Sequence, residues 1–477
     1  MLLIFTAVIE AYILPLIPAY LVIRLCLRRS LATVPLPLQS LIHASLAVGL
    51  SFGLTSIGLF LWLNVARQAG SAYIIVELMS CSGIAAASLW AGRHLNTVSN
   101  AGDRISFRDA IHGLSRVQVL ALAGFGIGCL FVLVWLLYFV LQLPHGEWDA
   151  WAIWNMRARY LYRAQEFWPV AFNTLMPHTD YPLLIPLTVM RGWVYLGTET
   201  QIIPAFVSVA FAVAVLCLLV TALVYLRGML AGLAAGSVLI ATPFFFQQGA
   251  AQTADVPLVF FILATLVLIM IYERGRSRVV LALAGIFAGL AGWTKNEGLL
   301  FMTATSVALV ITASGDSDWK HRISGIAPFL AGVLPVLLVI ITFKVLYAPP
   351  NDLIAGQGAQ TIYRLLDVQR YAQIASALVE ETLRDYAWFP VLSAGLLVGG
   401  LYKPKAACTM FTVLGIVFVG YYFIYVTTPL NLTYHLTSSL NRLLLHLWPG
   451  FIFAAFGSTK LIAPPVGESR IEPARTV

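Results

Sequence analysis

Charged residues are scarce in this chain, and its cysteines follow no pattern that binds a metal or frames disulfides. Asp, Glu, Lys and Arg make up only 10 % of the 477 residues, whereas soluble proteins contain about a quarter. Hydrophobic residues make up 60 %. The five cysteines lie apart in or beside apolar runs without C-x-x-C spacing, so we expect small core residues. This composition excludes a soluble enzyme.

Apolar runs long enough to cross a bilayer recur along the whole chain. A membrane helix needs roughly 20 apolar residues, and on this basis we predict an all-α polytopic membrane protein with about thirteen transmembrane helices. Their approximate positions are 2–23, 39–64, 72–92, 117–141, 200–226, 229–247, 254–272, 279–293, 298–313, 323–347, 387–402, 407–427 and 441–460. The first run carries Glu10 and lacks a basic start and a small-residue cleavage site, so we interpret it as a retained span.

The distribution of Lys and Arg predicts the orientation in the membrane. With the N-terminus outside, nearly every basic short loop lies on the cytoplasmic side, as in RLCLRRS at 24–30. We expect a multi-pass membrane protein with its N-terminus outside and its C-terminus in the cytoplasm. These loops also account for the formal net charge of +8, so we expect no nucleic-acid partner. Two long loops, 142–199 and 348–386, then lie outside, with stretches typical of amphipathic interfacial helices.

Five polar clusters, far apart in sequence, are predicted at this outer surface. They are EWD with Arg157 and Arg159, PHTDYP with His178 and Asp180, QTADVP with Asp255, WTKNEG with Lys295, Asn296 and Glu297, and YHLTSSLNRLLLH with His435, Arg442 and His446. An ionisable group at the bilayer centre costs about 2.5–3.5 kcal/mol, which a position at a span end avoids. Arg442 and His446 are four residues apart, so they share one helical face.

Each cluster also has a plainer interpretation. Glu147, Asp149 and Asp255 precede helices, where acids cap free N–H groups. Tryptophans beside them are typical interface anchors, and arginines reach lipid phosphates. The predicted outer loop contains four arginines, namely Arg157, Arg159, Arg163 and Arg191. Because they oppose the positive-inside bias, we favour binding of a specific anion. Glu77 lies in a predicted span, and the sequence identifies no partner for it.

The order of the motifs resembles a known enzyme family. An acidic loop after a span is followed by H-x-D-Y-P, by A-D-V-P-L-x-F-F at the start of a later span, and by G-L-A-x-x-T-K-N-E-G-L. This order is similar to that of bacterial C-type (GT-C) glycosyltransferases related to the protein O-mannosyltransferases and the lipid A aminoarabinose transferase. The resemblance covers roughly residues 117–460. It implies transfer of a sugar from a polyprenyl-phosphate donor to a hydroxyl of a glycan, lipid or protein at the outer, periplasmic face.

The resemblance also implies roles for individual residues. Asp149 is expected to be the general base, with Glu147 as the competing candidate, and a single displacement would invert the anomeric configuration. Asp255 is expected to orient the site or to bind a divalent cation, although no spacing in the sequence demands a metal. The residues expected to hold the lipid phosphate are Arg157, Arg159, Lys295, Arg442 and His446. Those expected to bind acceptor or sugar are His178, Asp180, Asn296 and Glu297.

The chain departs from the family pattern in its organisation. The acidic loop follows the fourth predicted span, whereas in the family it follows the first. We therefore expect an added module of about three helices at 1–116 and a catalytic core at 117–347 that includes outer loop 142–199. The second outer loop, 348–386, and C-terminal helices with a short tail, 387–477, would complete the chain. Because the sequence lacks the soluble C-terminal domain of some relatives, acceptor recognition by such a domain does not transfer.

Three other functions are compatible with parts of the pattern. A transporter or flippase would place polar groups near the bilayer midplane on broken helices, whereas here they gather at one face. A ligase or polymerase with a lipid-diphosphate donor would also need outer arginines. A non-catalytic assembly subunit would leave the clustered charges without a role.

Overall fold

The computed structural model describes residues 2–95, 113–313, 319–351, 353, 357–402 and 404–461, and these residues form helices and turns without a β-strand. The predicted all-α class is therefore confirmed. The α-helices of the described ranges are α1 (Leu2–Val8), α2 (Leu16–Leu27), α3 (Leu36–Ala66), α4 (Ser71–Leu95), α5 (Arg116–Gln142), α6 (Asn155–Arg163), α7 (Leu184–Leu196), α8 (Ile202–Arg227), α9 (Met229–Ile240), α10 (Pro243–Ala250), α11 (Asp255–Gly275), α12 (Arg278–Thr294), α13 (Asn296–Thr312), α14 (Trp319–Leu346), α15 (Gln360–Leu366), α16 (Val368–Asp385), α17 (Trp388–Gly399), α18 (Pro404–Thr427) and α19 (Leu432–Ser458). The described ranges also contain short π-helices at Ile9–Ile13 and Ala150–Trp154 and a 3₁₀ helix at Gln165–Phe172.

Fewer helices are long and apolar enough to cross a membrane than the sequence predicts. The described residues contain 8, or up to 9 if α9 and α10, which meet at 69°, form one broken span. The predicted spans 279–293, 298–313 and 387–402 are instead the shorter apolar helices α12, α13 and α17. At about 1.5 Å per residue, these helices of 12 to 17 residues extend over roughly 18–26 Å, less than the hydrocarbon core of about 30 Å. The chain is a multi-pass membrane protein, but the count of thirteen is not confirmed.

Helix α11 lies at the centre of the bundle. Every residue from Asp255 to Ile271 is buried, and the helix packs against α8, α12 and α19. A helix that is apolar on all sides is expected in such a position. Its first residue is Asp255, so the Asp255 carboxylate lies at one end of the bundle, where protein surrounds it.

Helices α12 and α14 touch backbone to backbone at two glycines. A Cβ atom on Gly332 would lie 1.9 Å from the carbonyl oxygen of Ala282, and one on Gly285 would lie 2.0 Å from that of Phe329. Carbonyl oxygens of a helix cannot move aside as a flexible side chain can. The reciprocal contact therefore requires glycine on both helices, and it fixes how α14 crosses α12.

Replacing Gly332 by alanine should lower the free energy of unfolding by about 1–3 kcal/mol, the usual cost of forcing a methyl group into a packed contact. The measurement is denaturation of the purified protein in detergent. Gly325 is the matched control on the same helix, because a Cβ there would meet nothing within 4 Å. Equal stability of Gly332→Ala and Gly325→Ala would contradict this packing.

A buried ion pair joins the N-terminal helices to the segment 142–199, the first predicted outer loop. Arg191 Nε of α7 lies 2.8 and 2.9 Å from the two carboxylate oxygens of Glu77 of α4. The hydroxyls of Tyr73 and Tyr195 donate to the same carboxylate at 2.7 and 2.6 Å. Glu77 thus has the partner that the sequence does not identify, and this partner is one of the four outer-loop arginines.

The cysteines differ from the sequence prediction. All five are free, four of them are half-buried, and Cys408 is exposed. They are therefore not residues of a tightly packed core. In a membrane protein the exposed surface of a span faces lipid, where a small apolar side chain is equally at home.

Candidate active site

The acidic loop after α5 is attached directly to the segment before α11. The backbone N–H of Glu147 donates to the carbonyl of Ala251 at 3.1 Å, and the amide of Gln252 donates to the carbonyl of Pro144, also at 3.1 Å. Asn155 donates to Gln252 at 2.9 Å. These hydrogen bonds hold the EWD motif beside the ADVP motif, although about 100 residues separate them.

The KNEG motif forms the tight turn between α12 and α13. Lys295 has an extended backbone (φ −157°, ψ 156°), which ends α12 at Thr294 and lets α13 begin at Asn296. A Cβ on Gly298 would lie 1.9 Å from the carbonyl oxygen of Ala291, so only glycine permits the two helices to meet this closely. The turn directs the Lys295 side chain toward the first residue of α11.

Four of the predicted site residues form one charged network around Asp255. Its Oδ1 accepts a hydrogen bond from Lys295 Nζ at 2.8 Å, and His446 Nε2 lies 2.8 Å from the same oxygen. Arg442 Nη1 lies 3.7 Å from Asp255 Oδ2 and pairs directly with Asp149. Arg442 and His446 thus use the shared face of α19 that their spacing predicts. We call Asp149, Asp255, Lys295, Arg442 and His446 the charged network.

The network runs from the protein interior to an accessible edge. Asp255 and His446 are fully buried, whereas the side chains of Arg442 and Asp149 are 21 % and 23 % exposed. A polar partner also holds the buried end, since the Tyr421 hydroxyl lies 3.2 Å from His446 Nδ1. A ligand would therefore reach the network at Asp149 and Arg442.

Two further carboxylates border the network. Glu297 Oε1 lies 2.9 Å from Lys295 Nζ, so this lysine bridges Glu297 and Asp255. Among the described residues, Glu147 accepts a side-chain hydrogen bond from a neutral group, the amide of Gln248 at 3.3 Å. Desolvation of its carboxyl group raises the pKa of Glu147 above the usual value. The Gln248 hydrogen bond and the charge of Arg442 oppose this shift, and the nearby carboxylates of Asp255 and Asp149 add to it.

A second polar cluster adjoins the network through the KNEG turn. Asp180 Oδ2 accepts hydrogen bonds from the amides of Asn296 and Asn351 at 2.7 and 2.8 Å. Lys344 Nζ donates to the Asp180 carbonyl at 2.5 Å and to Asn296 Oδ1 at 2.8 Å. Neither Lys344 nor Asn351 is predicted as a site residue from the sequence. A lysine in the last turn of a span is what the helix dipole favours, so Lys344 gives no separate signal of function. We call Asp180, Asn296, Lys344 and Asn351 the asparagine cluster.

The arginines predicted to hold a phosphate in the outer loop have protein partners. Arg157 is 2 % exposed and donates to the carbonyls of Tyr181 and His178. Burial lowers its pKa to about 10, so it keeps its charge at neutral pH. Arg159 lies 3.6 Å from Glu199. Neither contacts the charged network, and Arg157 instead braces the HTDYP loop.

Aromatic rings fill the space beneath this loop. Tyr181 stacks between Trp154 and His178, with ring centroids 5.5 and 5.1 Å away. Lys295 Nζ lies 6.0 Å from the centre of the same ring. Burial raises the pKa of the Tyr181 hydroxyl, and Glu297 adds to the shift, so the hydroxyl stays protonated as a hydrogen-bond donor. Within the described ranges, no three His, Cys, Asp or Glu side chains are grouped so that they could hold a metal ion.

Part of the chain matches a known protein family. Residues 189–347 match the family model of dolichyl-phosphate-mannose-protein mannosyltransferases. The match supports a membrane glycosyltransferase of the GT-C type. It covers about a third of the chain and includes Asp255, Lys295 and Lys344, whereas Asp149 and Arg442 lie outside it. No curated protein and no solved structure matches the chain.

Proposed function

We propose that the protein transfers a sugar from a polyprenyl-phosphate donor to an acceptor hydroxyl at the periplasmic face of a bacterial inner membrane, with inversion at the anomeric carbon. The observation that carries the proposal is the charged network, in which two cations and two carboxylates meet at the end of the most deeply buried span. The N-terminus would lie outside and the C-terminus in the cytoplasm. A donor held by its isoprenoid tail in the bilayer would present its phosphate at this depth.

Arg442 and Lys295 are the proposed partners of the donor phosphate. The guanidinium fork donates two N–H bonds to phosphate oxygens, and Arg442 stands at the exposed end of the network. Lys295 carries a second positive charge behind it, and its own counter-charges, Asp255 and Glu297, hold it in place. Negative charge grows on the phosphate as the sugar leaves, so preformed cations stabilise the transition state more than the ground state.

Glu147 is the proposed proton acceptor for the attacking hydroxyl, and Asp149 the proposed positioning partner of Arg442. One carboxylate oxygen of Asp149 pairs with the guanidinium of Arg442, whereas one of Glu147 accepts from the neutral Gln248 amide. A raised pKa makes a carboxylate a better base near neutral pH. The role of Asp149 as the base stays a prediction, and so do the roles of His178, Asp180, Asn296 and Glu297 in acceptor or sugar binding.

Glu147→Gln should lower kcat of sugar transfer roughly 10²-fold, at the low end of what a general base contributes. Only the ionised carboxylate accepts a proton. The wild-type rate should therefore fall as the pH drops through the raised pKa of Glu147, above the ordinary range of a glutamate. The measurement is a pH–rate profile of the wild-type protein, of Glu147→Gln and of Asp149→Asn. Loss of this acidic limb in Asp149→Asn but not in Glu147→Gln would assign the base to Asp149.

The proposed reaction itself is tested with purified protein in liposomes. A radiolabelled sugar on polyprenyl phosphate and a membrane extract as acceptor source should yield labelled product and free polyprenyl phosphate. A transporter or flippase would instead move the intact donor between leaflets without chemical change. Movement without cleavage of the sugar–phosphate bond would overturn the glycosyltransferase proposal in favour of that alternative.

A further inference from the structure

Lys344 is a charged side chain for which the proposed reaction has no use. It belongs to the last turn of α14 and is 27 % exposed. Its Nζ donates to the backbone carbonyl of Asp180 and to Oδ1 of Asn296, and it lies 3.7 Å from Asp180 Oδ2. Protein acceptors thus occupy its ammonium group. These contacts hold the ammonium group against the HTDYP loop and the KNEG turn.

These contacts fix both ends of the Asn296 amide. Its Oδ1 accepts from Lys344, and its Nδ2 donates to Asp180 Oδ2. Asn296 is the first residue of α13 and directly follows Lys295, whose extended backbone places its ammonium between Asp255 and Glu297. A fixed amide at this residue leaves the preceding backbone little freedom to rotate.

The same cluster joins both outer loops to the turn. Asp180 belongs to the first outer loop, and Asn351, at the start of the second, donates to its Oδ2 at 2.8 Å. Lys344 lies beside both and supplies the one positive charge of the asparagine cluster. Without it, the half-buried Asn296 and the buried Asp180 would lose a charged donor, which is costlier than losing a neutral one.

We propose that Lys344 is a positioning residue for Lys295. It acts through Asn296 and Asp180 to hold the KNEG turn in the conformation that presents the Lys295 ammonium to a phosphate. This inference rests on the proposed function, because it assumes that Lys295 binds the donor phosphate. It assigns to Asp180 and Asn296 a structural part in phosphate binding, in addition to the sugar or acceptor contacts predicted from the sequence.

The test measures binding of farnesyl phosphate, a short prenyl monophosphate, to the full-length protein in detergent. Binding is detected by the change in tryptophan fluorescence. Lys344→Met should raise the Kd roughly tenfold, the effect of one lost charged hydrogen bond transmitted to the site. Lys344→Arg keeps the charge and the donors and should stay within about threefold of wild type. Lys460→Met is the matched control, an exposed lysine outside both clusters, and should leave the Kd unchanged.

A double-mutant cycle separates positioning from a general loss of structure. Lys295→Met alone should weaken binding more than Lys344→Met, and adding Lys344→Met to it should have no further effect, because both act on one ammonium group. If Lys344→Met does not fold, Asn296→Ala cuts the same connection and should give a similar Kd. Additive effects, or wild-type affinity in Lys344→Met or Asn296→Ala, would overturn the inference. If wild-type protein fails to bind farnesyl phosphate, the proposed donor class fails first, and the inference falls with it.

Discussion

Replacing Arg442 by alanine should lower kcat/KM for the polyprenyl-phosphate sugar by about 10³-fold or more, the range seen when an arginine that stabilises a charged transition state is removed. Its guanidinium is the accessible cation of the charged network and links Asp149 to Asp255. In the proposed reaction, the substitution removes the charge that balances the leaving phosphate, and it leaves both carboxylates to repel that phosphate. The measurement is the initial rate of sugar release at several donor concentrations.

Two variants make this result interpretable. Arg442→Lys keeps the charge but not the two-pronged donor, so it should recover only part of the activity. Arg384→Ala removes an arginine of the second outer loop that is 53 % exposed and paired with Glu381 and Asp385, and it should retain wild-type rates. If Arg442→Ala and Arg384→Ala transferred sugar equally well, Arg442 would have no part in donor binding.

Replacing Glu77 by alanine should destabilise the fold by about 3–5 kcal/mol, because it leaves the buried Arg191 without its counter-charge. The carboxylate holds the guanidinium of Arg191 and two tyrosine hydroxyls, so three side chains lose their partner together. The measurement is denaturation in detergent, with aggregation on heating as a second readout.

The matched control is Glu166→Ala, which removes an exposed glutamate of the segment 142–199 and should change stability by no more than about 0.5 kcal/mol. Glu77→Gln tests the charge separately, since an amide keeps hydrogen-bonding capacity but not the negative charge. The free energy of unfolding of Glu77→Gln should lie between those of the wild type and Glu77→Ala. Equal stability of Glu77→Ala and Glu166→Ala would show that the N-terminal helices do not depend on this pair.

Local patterns predicted the helical class and the positions of the long spans. Runs such as 39–64 and 254–272 correspond to α3 and α11, because a helix of a soluble protein rarely stays apolar on every side over that length. The count of thirteen is not confirmed, because the predicted spans 279–293, 298–313 and 387–402 are shorter apolar helices. The predicted span 229–247 is interrupted at Thr242, where α9 ends and α10 begins. Hydropathy alone does not distinguish such pieces from complete spans.

The site was predicted in outline and not in detail. Loop positions placed Asp149, Asp255, Lys295 and Arg442 on one predicted surface, and in the structure these four side chains join in one network. Pairings between distant residues could not be predicted. Glu77 and Arg191 are 114 positions apart, and Asp180 and Lys344 are 164 apart. No local pattern connects them, because each pair exists only after the helices have packed.

The enclosure of α11 has a consequence for how the protein responds to its membrane. Bilayers differ in thickness, and spans adapt by tilting or by deforming the lipid around them. Since no residue from Asp255 to Ile271 touches lipid, such adjustments act on the peripheral helices. The depth of the Asp255 carboxylate is set by neighbouring protein, so sugar transfer should vary little between vesicles of short-chain and long-chain phospholipids.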